Sequence, residues 1–284
     1  MSSSLAIGTT VRLRSGYELP LLGLGVGRSD NTKLASLAAL NAGYRHIDSA
    51  RMYGNEAEVG EAVRESGLPR SQIYITSKIQ NEEHGYDKTL AAVDDSLKTF
   101  GFDYIDFMLI HSAKSDKDTR LATWNALVEA KGAGKVRSIG VSNYGVKHLE
   151  EIRQAGLELP DINQIELQPL NQQKEIVEYC RTHGIFVVAY APLMRARWDI
   201  PEILDVAKKH ERGHGQHNKT PAQVLVRWSL QGGFAPLPKS ADPVRVVGNA
   251  DVYDFVLSAE DVAAIDSLDR GKEGAITWNP VDVD

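Results

Sequence analysis

Four side chains able to move or hold a proton each follow a short apolar run. Asp48 ends the run Arg45–Asp48, with Tyr53 just beyond it, Lys78 ends Ile73–Lys78, and His111 ends Tyr104–His111. A phenol titrates near 10, so donating a proton at neutral pH calls for a neighbouring cation that favours the phenolate. Lys78 can supply that cation, and Asp48 can hold the ammonium in place and charged. His111 can donate from one ring nitrogen to an oxygen on which negative charge builds. A lone Asp or Lys after a strand is ordinarily a turn former or a solvated charge. Four such groups converging at one rim make a proton-transfer site. Later apolar runs end in hydrogen-bonding residues as well: Ser142 and Asn143, Tyr190, then Lys239 and Ser240, while Gln164 lies within its run.

Convergence requires a scaffold that brings strand ends together. Eight apolar runs occur, at Leu22–Val26, Arg45–Asp48, Ile73–Lys78, Tyr104–His111, Val136–Val141, Ile162–Leu167, Phe186–Tyr190 and Phe234–Pro238. Between them lie helical patterns such as Lys33–Ala42, Glu56–Glu65, Lys88–Phe100, Thr119–Lys131, Lys174–His183 and Pro221–Leu230, several closed by glycine. Strands alternating with helices imply parallel pairing. Eight such units in about 250 residues predict an α/β fold, a (β/α)8 TIM barrel whose active groups sit at the C-terminal ends of its strands. Alternation around Ser15-Gly16 predicts an N-terminal β-hairpin, and the residues after the last unit form a C-terminal loop or tail. No linker interrupts residues 1–284, so one barrel domain is expected, with Glu211–Asn218 as an exposed loop insertion.

Composition narrows the functional classes. Hydrophobic residues make up 42% and charged residues 25%, which is a globular rather than a disordered profile. A net charge of -6 argues against nucleic acid or an anionic membrane as partner. The single cysteine, Cys180, excludes an intrachain disulfide and suits a reducing compartment; its helix-like setting predicts a small buried thiol. The start lacks the apolar core of a signal peptide, and no apolar run nears the roughly 20 residues of a membrane span. A cytoplasmic protein is expected, monomeric by default, with an oligomer left open.

The run GYRHIDSARMYGNE (43–56) resembles the signature of the aldo-keto reductases, and GKVRSIGVSN (134–143) and LPKS (237–240) resemble the two other segments typical of that superfamily. The resemblance extends from the hairpin to about Asp269. It implies that Asp48, Tyr53, Lys78 and His111 form the catalytic tetrad of an NADPH-dependent carbonyl reductase acting on a small-molecule aldehyde or ketone. It implies further that Ser142, Asn143 and Gln164 hold the nicotinamide carboxamide, that Tyr190 stacks on the ring, and that Leu193 and Arg195 lie along the pyrophosphate. Lys239, Ser240 and Arg245 would hold the 2′-phosphate, for which two cations and a hydroxyl are apt, and Asn249 would meet the adenine. Gly248 stands where the family commonly has Glu, which alters the cofactor contacts.

The substrate side departs from the aldose-reductase branch, whose pocket aromatics are replaced by Gly27, Gln80 and Ser112. Three missing rings predict a wider, more polar pocket, suited to a polar, sugar-like or bulky carbonyl, unless Trp198 or Trp278 refills it. Gly23, Gly25 and Gly27 fail the G-x-G-x-x-G dinucleotide pattern because Arg28 stands where its third glycine is needed, and no acidic residue fits the βαβ spacing well. The cluster His210, His214 and His217 lacks an acidic or thiol partner, so no metal is expected. The adjacent Asp94 and Asp95 read as a solvated helix face. Two other functions compete: a Schiff-base aldolase using Lys78 or Lys239, and a sensor subunit that binds NADPH but barely turns over.

Overall fold

Leu22, Leu24 and Val26 alternate with Gly23, Gly25 and Gly27, and a strand with this period of two turns all three glycines to one face. The apolar set joins the core shared with the helices. The glycines face inward, where space is short: a Cβ on Gly23 would lie 2.6 Å from both His46 Nδ1 and Leu237 Cδ2. Close packing inside the first strand, rather than phosphate binding, accounts for the glycine-rich start.

The computed structural model describes residues 5–210 and 219–284. Its main sheet has eight parallel strands in sequence order. These are β3 (Gly23–Gly25), β4 (His46–Asp48), β5 (Tyr74–Ile79), β6 (Ile105–Ile110), β7 (Val136–Ser142), β8 (Ile162–Glu166), β9 (Phe186–Tyr190) and β10 (Ala235–Leu237). The Gly25 N–H donates to the Pro238 carbonyl at 3.2 Å, and Gly25 bridges Lys239, closing the circle. The fold is the expected (β/α)8 barrel, and each strand lies within a residue or two of its apolar run. Two further strands, β1 (Thr10–Arg12) and β2 (Glu18–Pro20), form the expected antiparallel hairpin, with Gly16 in the left-handed region at its turn. Leu13 and Leu19 of this hairpin pack with Phe107, Leu109, Ile162, Val188 and Leu237, filling the barrel interior from one end. The opposite end is left for chemistry.

The outer layer consists of α1 (Thr32–Asn41), α2 (Glu56–Glu65), α3 (Tyr86–Phe100), α4 (Lys117–Gly132), α5 (Val146–Gln154), α6 (Lys174–Thr182), α7 (Pro201–Lys209), α8 (Pro221–Gln231), α9 (Pro243–Gly248) and α10 (Ala259–Asp266). Local chemistry fixes several starts. Asp116 caps α4, Thr220 and Gln223 form a capping box on α8 behind Pro221, and Asp242 caps α9 behind Pro243. Trp124 of α4 is fully buried and its Nε1 donates to the Glu158 carbonyl at 3.0 Å; truncating such a side chain to alanine costs about 3–5 kcal/mol. Cys180 on α6 is buried as expected, and burial pushes its thiol up to about 12, far from the reactive thiolate. Asp94 and Asp95 are exposed on α3. Glu211–Asn218, the expected insertion, lies outside the described residues. Among those described, no helix is long and apolar enough to cross a membrane.

Candidate active site

The strand ends do converge. Asp48 closes β4, Lys78 lies near the end of β5, and His111 follows β6 directly, its N–H donating to the Ile79 carbonyl at 3.0 Å. Tyr53 is presented by a 3₁₀ turn, Arg51–Tyr53, which is itself tied down: Arg51 Nε donates to Glu83 at 2.7 Å and Arg51 Nη1 to Ser96 at 3.1 Å. Lys78 Nζ is fully buried and donates to Asp48 Oδ1 at 2.6 Å and to the Ser49 carbonyl at 2.7 Å. The other Asp48 oxygen accepts from Gln164 Nε2 at 2.7 Å. The ammonium lies 5.4 Å from the Tyr53 ring centroid, and the Tyr53 and His111 rings meet edge to face at 5.8 Å.

Their electrostatics differ from expectation in one respect. Burial raises the Tyr53 phenol above its ordinary value, the negative charge of Asp48 raises it further, and Arg28 opposes both. The net shift is upward, opposite to the lowering expected from a nearby cation, because the phenol is desolvated and the Lys78 ammonium is paired with Asp48 at contact distance. Lys78 is itself held below the usual lysine value by burial, against the attraction of Asp48. Burial, Lys78 and His84 push His111 down to about 3, so its imidazole is neutral at physiological pH. The cluster thus presents a protonated phenol beside an uncharged imidazole.

Both rings line a cavity of about 410 Å³, together with Ser142, Asn143, Gln164 and Tyr190. The Tyr190 hydroxyl stands 2.8 Å from Asn143 Oδ1, and Asn143 Nδ2 donates to the His111 carbonyl at 3.0 Å. A second cavity, of about 750 Å³, is lined by Ser240, Arg245 and Asn249 and shares Leu193, Arg195 and Lys239 with the first. The ten residues expected to bind cofactor therefore line these two cavities, which adjoin through the shared residues. Backbone strain gathers there too. Arg28, Asn143, Ala191 and Arg195 line the first cavity with φ between 50 and 58°, a region that side chains other than glycine occupy at a cost.

On the substrate side only one of the three expected positions faces the cavity. Gly27 lines it. Gln80 does not: its backbone and amide nitrogens donate to Glu83 across the 3₁₀ turn Asn81–Glu83. Ser112 is fully buried and donates to Asn81 Oδ1 at 2.6 Å. Local hydrogen bonds hold both side chains on the same turn, Asn81–Glu83, beside the cavity wall rather than in its lining. Trp278 lines the first cavity, with Lys114 Nζ 5.1 Å from its ring centroid, whereas Trp198 lines the second and packs beside Met194, Ile203 and Leu225.

Arg28, Met52 and Thr277 also line the first cavity and were not singled out by sequence. Arg28 directly follows Gly27, and its carbonyl accepts from Lys239 Nζ at 3.0 Å; position beside a strand end was the available clue. Thr277 comes from the tail, which no local pattern links to the barrel mouth. His210 pairs with Asp261 at 3.2 Å, while His214 and His217 lie outside the described residues. Among the described residues no group of three His, Cys, Asp or Glu side chains is placed to hold a metal.

The sequence profile described as Aldo/keto reductase family matches residues 25–270. A glyoxal reductase of Bacillus subtilis (strain 168) is 43% identical over 265 residues, covering 92% of this chain and 93% of the relative. The crystal structure of an aldo-keto reductase from a Medee basin deep-sea metagenome library superposes with a TM-score of 0.90 at 40% identity, covering 97% of this chain and 100% of that one. A Bombyx mori aldo-keto reductase, crystallised in complex with NADP, gives a TM-score of 0.84 at 33% identity, covering 93% and 94% of the two chains.

Proposed function

The chain belongs to the aldo/keto reductase family, and on that premise we propose that it reduces an aldehyde or ketone to an alcohol at the expense of NADPH, with Tyr53 as general acid. The observation that carries this reading is the placement of Tyr53 and His111 in one cavity that continues into a cationic groove. The groove suits a dinucleotide phosphate: Arg195, Lys239 and Arg245 supply three cations, and Arg245 Nε already reaches Ser240 Oγ at 3.3 Å. In this reading Lys239, Ser240 and Arg245 hold the 2′-phosphate, Leu193 and Arg195 flank the pyrophosphate, and Asn249 meets the adenine. Ser142, Asn143 and Gln164 anchor the carboxamide, and Tyr190 offers its ring as a stacking surface. The cofactor, when bound, supplies the hydride.

Protonation states support the assignment of roles. His111, pushed down to about 3, carries no proton to give at neutral pH but keeps one N–H for orienting a carbonyl oxygen. Tyr53, raised by burial, keeps its proton until an oxygen bearing developing negative charge arrives. Lys78 and Asp48 act behind the phenol as a compensated pair that organises the floor of the site.

For the substrate we propose a polar, sugar-like or bulky carbonyl. Gly27 opens one wall, and Arg28 and Asn143 mix polar contacts with Met52 and Trp278. The lowered basicity of Lys78 would also suit imine chemistry, but its amine is bonded to Asp48 and Ser49, and it is not among the residues lining the cavity.

The test is NADPH oxidation across aldehydes, ketones, aldoses and glyoxal, beside Tyr53→Phe. We expect turnover by the unaltered protein and a loss in kcat on the order of 10²- to 10⁴-fold in the variant, with NADPH binding retained. Near-native kcat in Tyr53→Phe would remove the phenol from its role. A borohydride-trapped adduct on Lys78 would replace the reductase by the aldolase.

A further inference from the structure

Glu166 is the last residue of β8, fully buried, and has no cation within ion-pair distance among the described residues. Three of the four donors to its carboxylate come instead from a segment more than a hundred residues away. Oε1 accepts from the Ile276 N–H at 2.8 Å and from Gln168 Nε2 at 3.2 Å. Oε2 accepts from the Thr277 N–H at 2.9 Å and from the Thr277 hydroxyl. A buried carboxylate that satisfies three donors of one short segment holds that segment in a single arrangement.

The next residue along is Trp278, and the bonds continue around it. Its carbonyl stands 2.9 Å from the Tyr190 hydroxyl, and Asn279 Oδ1 accepts from Gln173 Nε2 at 3.1 Å. The backbone of Trp278 is thus pinned before, at and after the residue, while the residue remains 44% exposed at the rim of the cavity that holds Tyr53 and His111.

We propose that Glu166 is a positioning residue for specificity: its carboxylate latches residues 276–277 to the barrel and thereby fixes the Trp278 ring as the wall against which the carbonyl substrate is sorted. This deepens, and rests on, the reductase reading. Glu166 touches neither Tyr53 nor His111; its partners are Gln168, Ile276 and Thr277, so it acts through the segment that carries Trp278. The isosteric amide is not a neutral replacement here. Whichever way it turns, Glu166→Gln sets an NH₂ group against a backbone N–H that now has an acceptor.

The test compares Glu166→Gln, Trp278→Ala and the double variant with the unaltered protein, reading kcat and KM for large and small carbonyls, NADPH binding, and acrylamide quenching of Trp278 as the difference from Trp278→Phe. In Glu166→Gln we expect KM for large carbonyls to change by about tenfold, the scale of one buried donor left without its acceptor. Its kcat on small carbonyls and its NADPH affinity should hold, and Trp278 should quench more readily. The double variant should match Trp278→Ala alone, since both act on one wall. Additive KM changes, or unchanged quenching in Glu166→Gln, overturn the latch. Should Glu166→Gln fail to fold, Thr277→Val removes one donor from the same carboxylate, and the same quenching shift, smaller in size, is required of it. NADPH turnover with unmoved quenching overturns the latch and leaves the reductase reading intact. A quenching shift in a protein whose unaltered form turns over no carbonyl removes that reading, and the specificity role with it.

Discussion

A Cβ placed on Gly27 would come 3.2 Å from Tyr53 Cζ and 3.5 Å from its hydroxyl oxygen, so the phenol rests against the open face of the glycine. Absence of a side chain at 27 does more than widen a pocket, because it decides where the phenol can stand. In Gly27→Ala the ring must give by a few tenths of an ångström. We expect kcat to fall by about tenfold, given that a 1 Å misplacement can cost about 10², with NADPH affinity unchanged. Steady-state kcat and KM separate the two roles: a change confined to KM would mean that Gly27 only sets width.

The pair Lys78 and Asp48 is buried, so removing one partner strands the other. Lys78→Met should lower unfolding stability by about 3–5 kcal/mol, measured by urea denaturation. Lys78→Met combined with Asp48→Asn should recover part of that loss, because no charge is then left behind. Fully additive losses would show that the two are not coupled.

Arg245 and Lys239 are assigned to a phosphate that NADH lacks. Arg245→Ala and Lys239→Ala should each weaken NADPH binding by roughly 10- to 100-fold, as expected for a lost charge-assisted hydrogen bond, and leave NADH nearly unaffected. Fluorescence titration of both cofactors at two salt concentrations reads this directly. Equal weakening of both would place the cations elsewhere along the dinucleotide.

On the proposed reading, carbonyl reduction uses Tyr53 protonated and His111 neutral. Tyr53 is raised above its ordinary value near 10, so the protonated form persists below that and is lost only as pH rises through the raised value. His111 at about 3 is neutral above it. The predicted kcat/KM for carbonyl reduction is therefore flat from pH 6 to about 9, measured with a substrate that has no ionisable group. A basic limb centred near neutrality would overturn the flat profile and place the titration of Tyr53 or of its buried neighbour Lys78 in that range.

Much of this was legible in the chain as written. Strands buried on both faces read as near-continuous apolar runs, so all eight could be placed from sequence. The convergence of Asp48, Tyr53, Lys78 and His111 was legible because each stands at or just past a run's end, where a barrel must present it. The six-residue α9 was not, since it is too short to show a helical period, and only Asp242-Pro243 marked its start. The side chains of Gln80 and Ser112 both bond onto the 81–83 turn, an orientation set by local bonds that no spacing reveals.

Sequence by itself determined the order of elements, the residue types at the strand ends and the cations along the groove, because these depend on local periodicity and side-chain chemistry. Only the tertiary structure decided which way the Tyr53 phenol shifts, that Gly27 lies under its ring, and that Glu166 meets Ile276 and Thr277 across the barrel mouth. Those are matters of distance and desolvation between segments far apart in the chain, and they exist only once the barrel has closed.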